Sequence, residues 1–244
     1  MMPTPDAPPL EVFLLGAVDF DDARRLQRRL VYDLGEGGGG ALVLCEHPPT
    51  ISVGRSGSRA HIRADDDELR GLGIRTHWVN RGGGCVLHLP GQLAAYVMLP
   101  LDALGLDVSR YVAGLHRAVI ATLAEFDLAG ATRPGAAGVF LGQARVASVG
   151  IAVNRWIAYH GLTLNVGTYL EPFSILDEPG PGGSRIFQTS MESRRQRAAP
   201  MATVREALTR HLEATFGLRR HHVYTQHPLI RRKAPPHVYA QSLG

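Results

Sequence analysis

The chain has 244 residues, 45% of them apolar and 20% charged, which suits one large α/β domain or two small ones and excludes a wholly disordered chain. No apolar run approaches the roughly 18–20 residues of a membrane span, and MMPTPDAPPLEVF holds no basic stretch followed by an apolar run, so neither a membrane span nor a secretion signal is expected. A net charge of +4 favours an acidic partner, but the basic residues are spread along the chain without a nucleic-acid-binding motif, so no nucleic acid is expected.

In chain order, residues 1–9 read as a loose leader. Residues 19–34 carry Ala23, Leu26, Leu30 and Leu34 on one helical stripe, and Gly37 to Gly40 form a linker after it. ALVLCEH (41–47) is a buried strand stopped by Pro48 and Pro49, and TISVG (50–54) is a second. DDDELRGLG (65–73) predicts a short glycine-capped helix, followed by strands at 74–79, 85–89 and 92–101. Asp107 caps a long helix on which Val108, Tyr111, Leu115, Val119 and Leu123 keep helical spacing. Strands at 145–154 and 156–166 precede an irregular stretch, 167–200. A last helix is predicted from Thr203, with Glu206 completing a capping box, to Gly217. Strands and helices out of strict alternation indicate an α+β class, a mixed sheet flanked by helices.

Three segments carry candidate chemistry. In RGGGCVLHLPGQLAAY (81–96) three consecutive glycines lie between strands, allowing close backbone approach to a ligand or simply a glycine-rich hairpin. YHGLTLNV (159–166) places His160 on an alternating strand, as a pocket residue or a satisfied core histidine. ARVASVG (144–150) has the small residues that either a bound chain or a tightly packed sheet requires. Two cysteines, Cys45 and Cys85, argue against a disulfide scaffold and for a reducing, cytoplasmic compartment. Lys233 is the only lysine among 26 basic residues, which limits mechanism because arginine does not give up its proton near neutral pH. The cysteines and histidines show no metal-ligand spacing, so no metal is expected.

Taken together, EHPP (46–49), RGGG…H.PGQL..Y (81–96), RPG…VF…ARVASVG (133–150), HGLTLNV (160–166) and L.PF (170–173) resemble the lipoyl(octanoyl) transferases, within the wider superfamily of lipoate-protein and biotin-protein ligases. The resemblance covers residues 10–218 and implies a single biotin/lipoate-protein ligase-like domain, with 219–244 as a C-terminal extension. It implies transfer of an octanoyl group from octanoyl-acyl carrier protein to a lysine of the lipoyl domains of 2-oxoacid dehydrogenases or of the glycine cleavage H protein, by way of a cysteine thioester, and no cofactor. Carried over by motif, the substrate-binding residues are Arg81, Gly82, Gly83, Gly84, Cys85, Val86, Leu87 and His88, then Ser148, Val149 and Gly150, then His160, Gly161, Leu162 and Thr163.

The family's catalytic lysine and cysteine are both missing. Arg145 stands at the lysine position and Pro179 at the cysteine position. One explanation moves the nucleophile to Cys85, beside the glycine loop, with Arg145 stabilising its thiolate. A second is a non-catalytic acyl- or lipoyl-binding relative in which Arg145 pairs with Asp177 or Glu178 across the vacated site. A third is a ligase that adenylates the acid with ATP, and a fourth is thioester hydrolysis with Glu178 as base. Arg194, Arg195, Arg197, Arg219 and Arg220 form the basic surface expected to meet an acidic carrier or lipoyl domain.

Overall fold

The computed structural model describes residues 7–37 and 39–230. In chain order its strands and helices are β1 (Pro9–Ala17), α1 (Phe20–Gly37), β2 (Gly40–Glu46), β3 (Thr50–Val53), α2 (Asp66–Gly71), β4 (Arg75–Trp78), β5 (Cys85–His88), β6 (Gln92–Pro100), α3 (Val108–Ala124), β7 (Gly130–Arg133), β8 (Ala136–Leu141), β9 (Ala144–Asn154), β10 (Ile157–Asn165), α4 (Met191–Arg195), α5 (Met201–Phe216) and β11 (Arg219–Tyr224). Among these residues one sheet has eight strands in the order β11-β1-β2-β6-β10-β9-β8-β7, and a second has three, β4-β3-β5. β1 runs parallel to β11 and β2, while β2, β6, β10, β9, β8 and β7 pair antiparallel in succession, so the large sheet is mixed.

All nine residues of β6 are buried, because this central strand is covered on both faces. Leu93, Ala95, Val97 and Leu99 point into a core shared with Tyr111, Leu115 and Val119 of α3 and Val204, Leu208 and Leu212 of α5. Their neighbours Ala94, Tyr96 and Met98 point the other way, onto Ala23, Leu26 and Leu30 of α1. The period of two along the strand thus meets the helical stripe predicted for α1. A third core lies under the small sheet, where Ile51, Val53, Cys85 and Leu87 pack on Ile62, Leu69 and Ile74. Opposite faces of β3 and β5 carry Ser52, Val86 and His88, and these face the large sheet across a cleft.

Most predicted elements fall where the sequence put them, and the departures have local causes. α1 runs on to Gly37, into the glycine linker. The capping box belongs to α2, where Asp65 and Glu68 exchange bonds with each other's backbone. The one predicted at Thr203 and Glu206 does not form: α5 starts a turn earlier, after Pro200, which leaves Thr203 inside its first turn, and Gly217 ends it at φ +65°. The expected boundary at 218 falls just before β11, whose residues 219–224 pair with β1 as an edge of the main sheet, not as an extension. Leader residues 1–6 and tail residues 231–244, Lys233 among them, lie outside the described residues.

Candidate active site

The cleft between the two sheets is lined on one side by Ser52, Arg81, Val86 and His88, and on the other by Ser148 to Gly150 of β9 and Gly161 to Thr163 of β10. Phe20, Tyr96 and His160 close it off. Its free volume is 30 Å³, room for a couple of waters.

His160 reaches this cleft through a local distortion. Alternation along β10 would send it with Ala158 and Leu162 toward α3, but its φ is +61° and that of Gly161 is +155°. The ladder to β6 breaks there, and the His160 amide donates to Gln27 Oε1 of α1 at 3.1 Å. A side chain at Gly161 would collide with the Ala95 carbonyl, so glycine is required. His160 Nε2 lies 3.3 Å from Asn80 Oδ1, and its ring stacks on Tyr159. Burial pushes its imidazole down to about 3, so it stays neutral.

The glycine loop packs backbone to backbone on β9. Gly82, Gly83 and Gly84 do not line the cleft. The Gly82 amide donates to the Ile151 carbonyl at 2.8 Å, tying the loop to β9, and a Cβ on Gly150 would come within 2.7 Å of the Gly82 oxygen. A Cβ on Gly54 would collide with the Gly83 carbonyl. Glycine here lets backbone meet backbone and delivers Arg81 into the cleft.

Arg81 is 7% exposed, and among the described residues its side-chain hydrogen bonds go to neutral oxygens. Its Nη2 donates to Ser52 O and to Ser52 Oγ, both at 2.8 Å, and its Nη1 to Gly82 O at 3.0 Å. Burial lowers its pKa to about 10, still charged at neutral pH. Ser52 Oγ also lies 2.9 Å from His88 Nε2, and Gln92 hydrogen-bonds the His88 side chain. Burial, with His47 and Arg81 nearby, holds His88 well below its ordinary range. His88 packs against Phe20 and His47, and Tyr96 Oη meets His47 Nε2 at 2.6 Å.

Cys85 does not face the cleft. It precedes Val86 on β5, so its side chain points to the opposite side, into the small-sheet core with Ile51 and Leu87. Its thiol donates to the Ser58 carbonyl at 3.6 Å, and burial pushes its pKa up. This is the reverse of what activates a thiol, which corrects the expectation of a nucleophile there. Leu87 likewise faces away from the cleft. Cys45 is buried beside His47, its pKa raised by burial.

Arg145 and Glu178 meet as a bidentate pair. Nη1 donates to Oε1 at 2.6 Å and Nη2 to Oε2, with side-chain exposures of 4% and 13%. The segment carrying Glu178 is laid on β9 by the Arg145 amide, which donates to the Phe187 carbonyl at 2.8 Å, and by the Thr189 amide, which donates to the Arg145 carbonyl at 2.9 Å. Asp177 instead pairs with Arg63 and Arg185. Pro179 is exposed and bridged to Arg185 at the base of a glycine-rich turn. Glu178, held by Arg145, is not free to serve as a base. Among the described residues, the cleft lining holds no cysteine, lysine or carboxylate.

On the basic surface, Arg195, Arg197 and Arg220 are engaged by Phe126 O, Asp127 and the pair Glu206 and Glu213, so less free charge is offered there than the sequence suggests. No helix among the described residues is long and apolar enough to cross a membrane. Two cleft residues went unmarked by any motif, namely Phe20 and Ser52. Ser52 shares with Thr50 the face of TISV opposite Ile51 and Val53, so alternation alone does not single it out.

The family model for the lipoyl protein ligase A/B catalytic domain matches residues 19–213. An octanoyltransferase of Syntrophobacter fumaroxidans is 36% identical over 206 residues, covering 83% of this chain and 88% of that protein. One from Roseiflexus sp. is 36% identical over 213 residues, covering 86% and 88%. Among solved structures, a lipoate-protein ligase A bound with ATP superposes with a TM-score of 0.72 at 19% identity, covering 88% of this chain and 90% of that one. Fold and sequence agree, and the chain belongs to the lipoyl protein ligase A/B catalytic-domain family, with octanoyltransferases among its relatives.

Proposed function

We propose that this protein transfers an octanoyl or similar medium-chain acyl group from the thioester of an acyl carrier protein to the lysine of a lipoyl domain, in lipoate biosynthesis in the cytoplasm. The acceptors are the lipoyl domains of 2-oxoacid dehydrogenases or the glycine cleavage H protein. One observation carries this reading: the inter-sheet cleft keeps Arg81 and His88 facing Ser148–Gly150 and Gly161–Thr163, in a chain about a third identical to octanoyltransferases. The apolar wall suits an acyl chain, and Arg81 is a fixed cation beside it for an oxygen that gains charge.

A second reading is favoured by one specific observation, the buried Arg145–Glu178 pair. It ties the 176–189 segment down where the family's chemistry would sit, as a binder of acyl or lipoyl groups that no longer turns over would do. Intact mass of a lipoyl domain incubated with octanoyl-acyl carrier protein and this protein separates the two. Octanoylation of the acceptor supports the transferase. Saturable acyl binding with an unmodified acceptor overturns it in favour of the binder.

A further inference from the structure

The geometry assigns Ser52 as the acyl-accepting nucleophile of the cleft, with His88 as its base. This inference rests on the transferase reading. The cleft wall has no cysteine, so an enzyme-bound acyl group needs another acceptor atom there, and Ser52 Oγ is the hydroxyl with both a base and a cation on it. Arg81 Nη2 donates to this oxygen at 2.8 Å, which turns the hydroxyl hydrogen toward His88 Nε2 at 2.9 Å. The acceptor is then the Nδ1-protonated tautomer of His88, whose side chain also hydrogen-bonds Gln92.

Two further features fit. The three hydrogen-bond acceptors of Arg81 are neutral oxygens, one of them Ser52 Oγ, so its guanidinium already lies against the atom that would carry an alkoxide. Burial keeps His88 neutral at physiological pH, the form that accepts a proton.

The chemistry balances without a co-reactant. Ser52 Oγ attacks the thioester carbonyl carbon while its proton passes to His88 Nε2. The carbon–sulfur bond breaks, and the carrier sulfur leaves with the proton from His88 as a thiol. The acceptor lysine's amine then attacks the resulting ester, the carbon–Oγ bond breaks, and the amine proton returns through His88 to Ser52. The products are an amide, a free thiol and the original serine.

The test is intact and peptide mass of the full-length protein after brief exposure to octanoyl-acyl carrier protein, alongside transfer to a lipoyl domain. The expected result is an octanoyl ester mapped to Ser52, stable to neutral hydroxylamine and cleaved under alkaline conditions. Ser52→Ala abolishes both adduct and transfer, and His88→Gln slows acylation by about 10²–10⁴-fold. Ser52→Cys guards against a folding artefact: it keeps the adduct but makes it labile to neutral hydroxylamine. Transfer at the wild-type rate by folded Ser52→Ala overturns the assignment and leaves the transferase reading standing. No transfer and no adduct on the wild-type protein overturns both.

Discussion

Arg145 and Glu178 lie 33 residues apart in sequence and meet almost wholly out of water. Removing one partner leaves the other charge buried and uncompensated, so Glu178→Ala is expected to cost about 3 kcal/mol in urea unfolding. The paired replacement Arg145→Met with Glu178→Leu is expected to cost much less, since an apolar pair avoids the desolvation penalty. The histidines set the acid response. His47, pushed down by burial to about 4, and His160, down to about 3, are both neutral in the folded state. The unfolded chain takes up their protons near pH 6.5 and the folded chain does not. Stability is therefore complete above pH 6.5 and falls as pH drops toward 4 and then 3, by up to about 1.4 kcal/mol per pH unit for each histidine. A urea midpoint series from pH 7 to pH 4 checks this, and a midpoint rising as pH falls would contradict it. At this scale the resemblance to the family puts Arg145 and Pro179 where a lysine and a cysteine are expected. It could not show which acidic neighbour Arg145 would take, because Asp177 and Glu178 point to opposite sides of an extended segment.

Between elements, backbone contact decides the shape of the cleft. The 81–84 loop lies on β9 because Gly150 has no side chain, and a Cβ there would press on the Gly82 carbonyl and on Arg81. Gly150→Ala is expected to cost about 1–3 kcal/mol and to weaken acyl binding by displacing Arg81. Gly71→Ala, at the end of α2 with open space around it, is the control and is expected to leave binding unchanged. Thermal melts together with octanoate titration measure both. Glycine spacing in RGGG was legible as a demand for close approach, but whether the approaching group is ligand or backbone is set by the register of β9. Ser52 was hidden for a similar reason. Its partner His88 is 36 residues away and arrives only because β3 and β5 pair with Ser52 opposite Val86.

Across the whole molecule, the mixed sheet and the helices on both its faces follow from patterns visible in the chain: the stripe on α1, the periodic α3, and the buried run of β6. β1 and β11 were not legible, because a parallel strand between two neighbours shows no alternation and an edge strand such as RRHHVY shows little hydrophobicity. Truncation after Leu218 removes β11, the stacking of Tyr224 on Phe13 at 4.9 Å and the pairing of Arg220 with Glu206 and Glu213. A loss of roughly 2 kcal/mol, or about 4–8 °C in Tm, is expected from calorimetry. An unchanged Tm would show that β11 adds nothing to the sheet.

On the transferase reading this cleft carries out octanoyl transfer without a cysteine, since Cys45 and Cys85 are both buried in apolar cores. The most direct measurement is octanoylation of a lipoyl domain by the double variant Cys45→Ala, Cys85→Ala, compared with the wild-type protein at equal folded concentration. Transfer at a rate close to wild type is the predicted result. Transfer by the wild-type protein that disappears in the folded, cysteine-free variant would return the chemistry to a thiol.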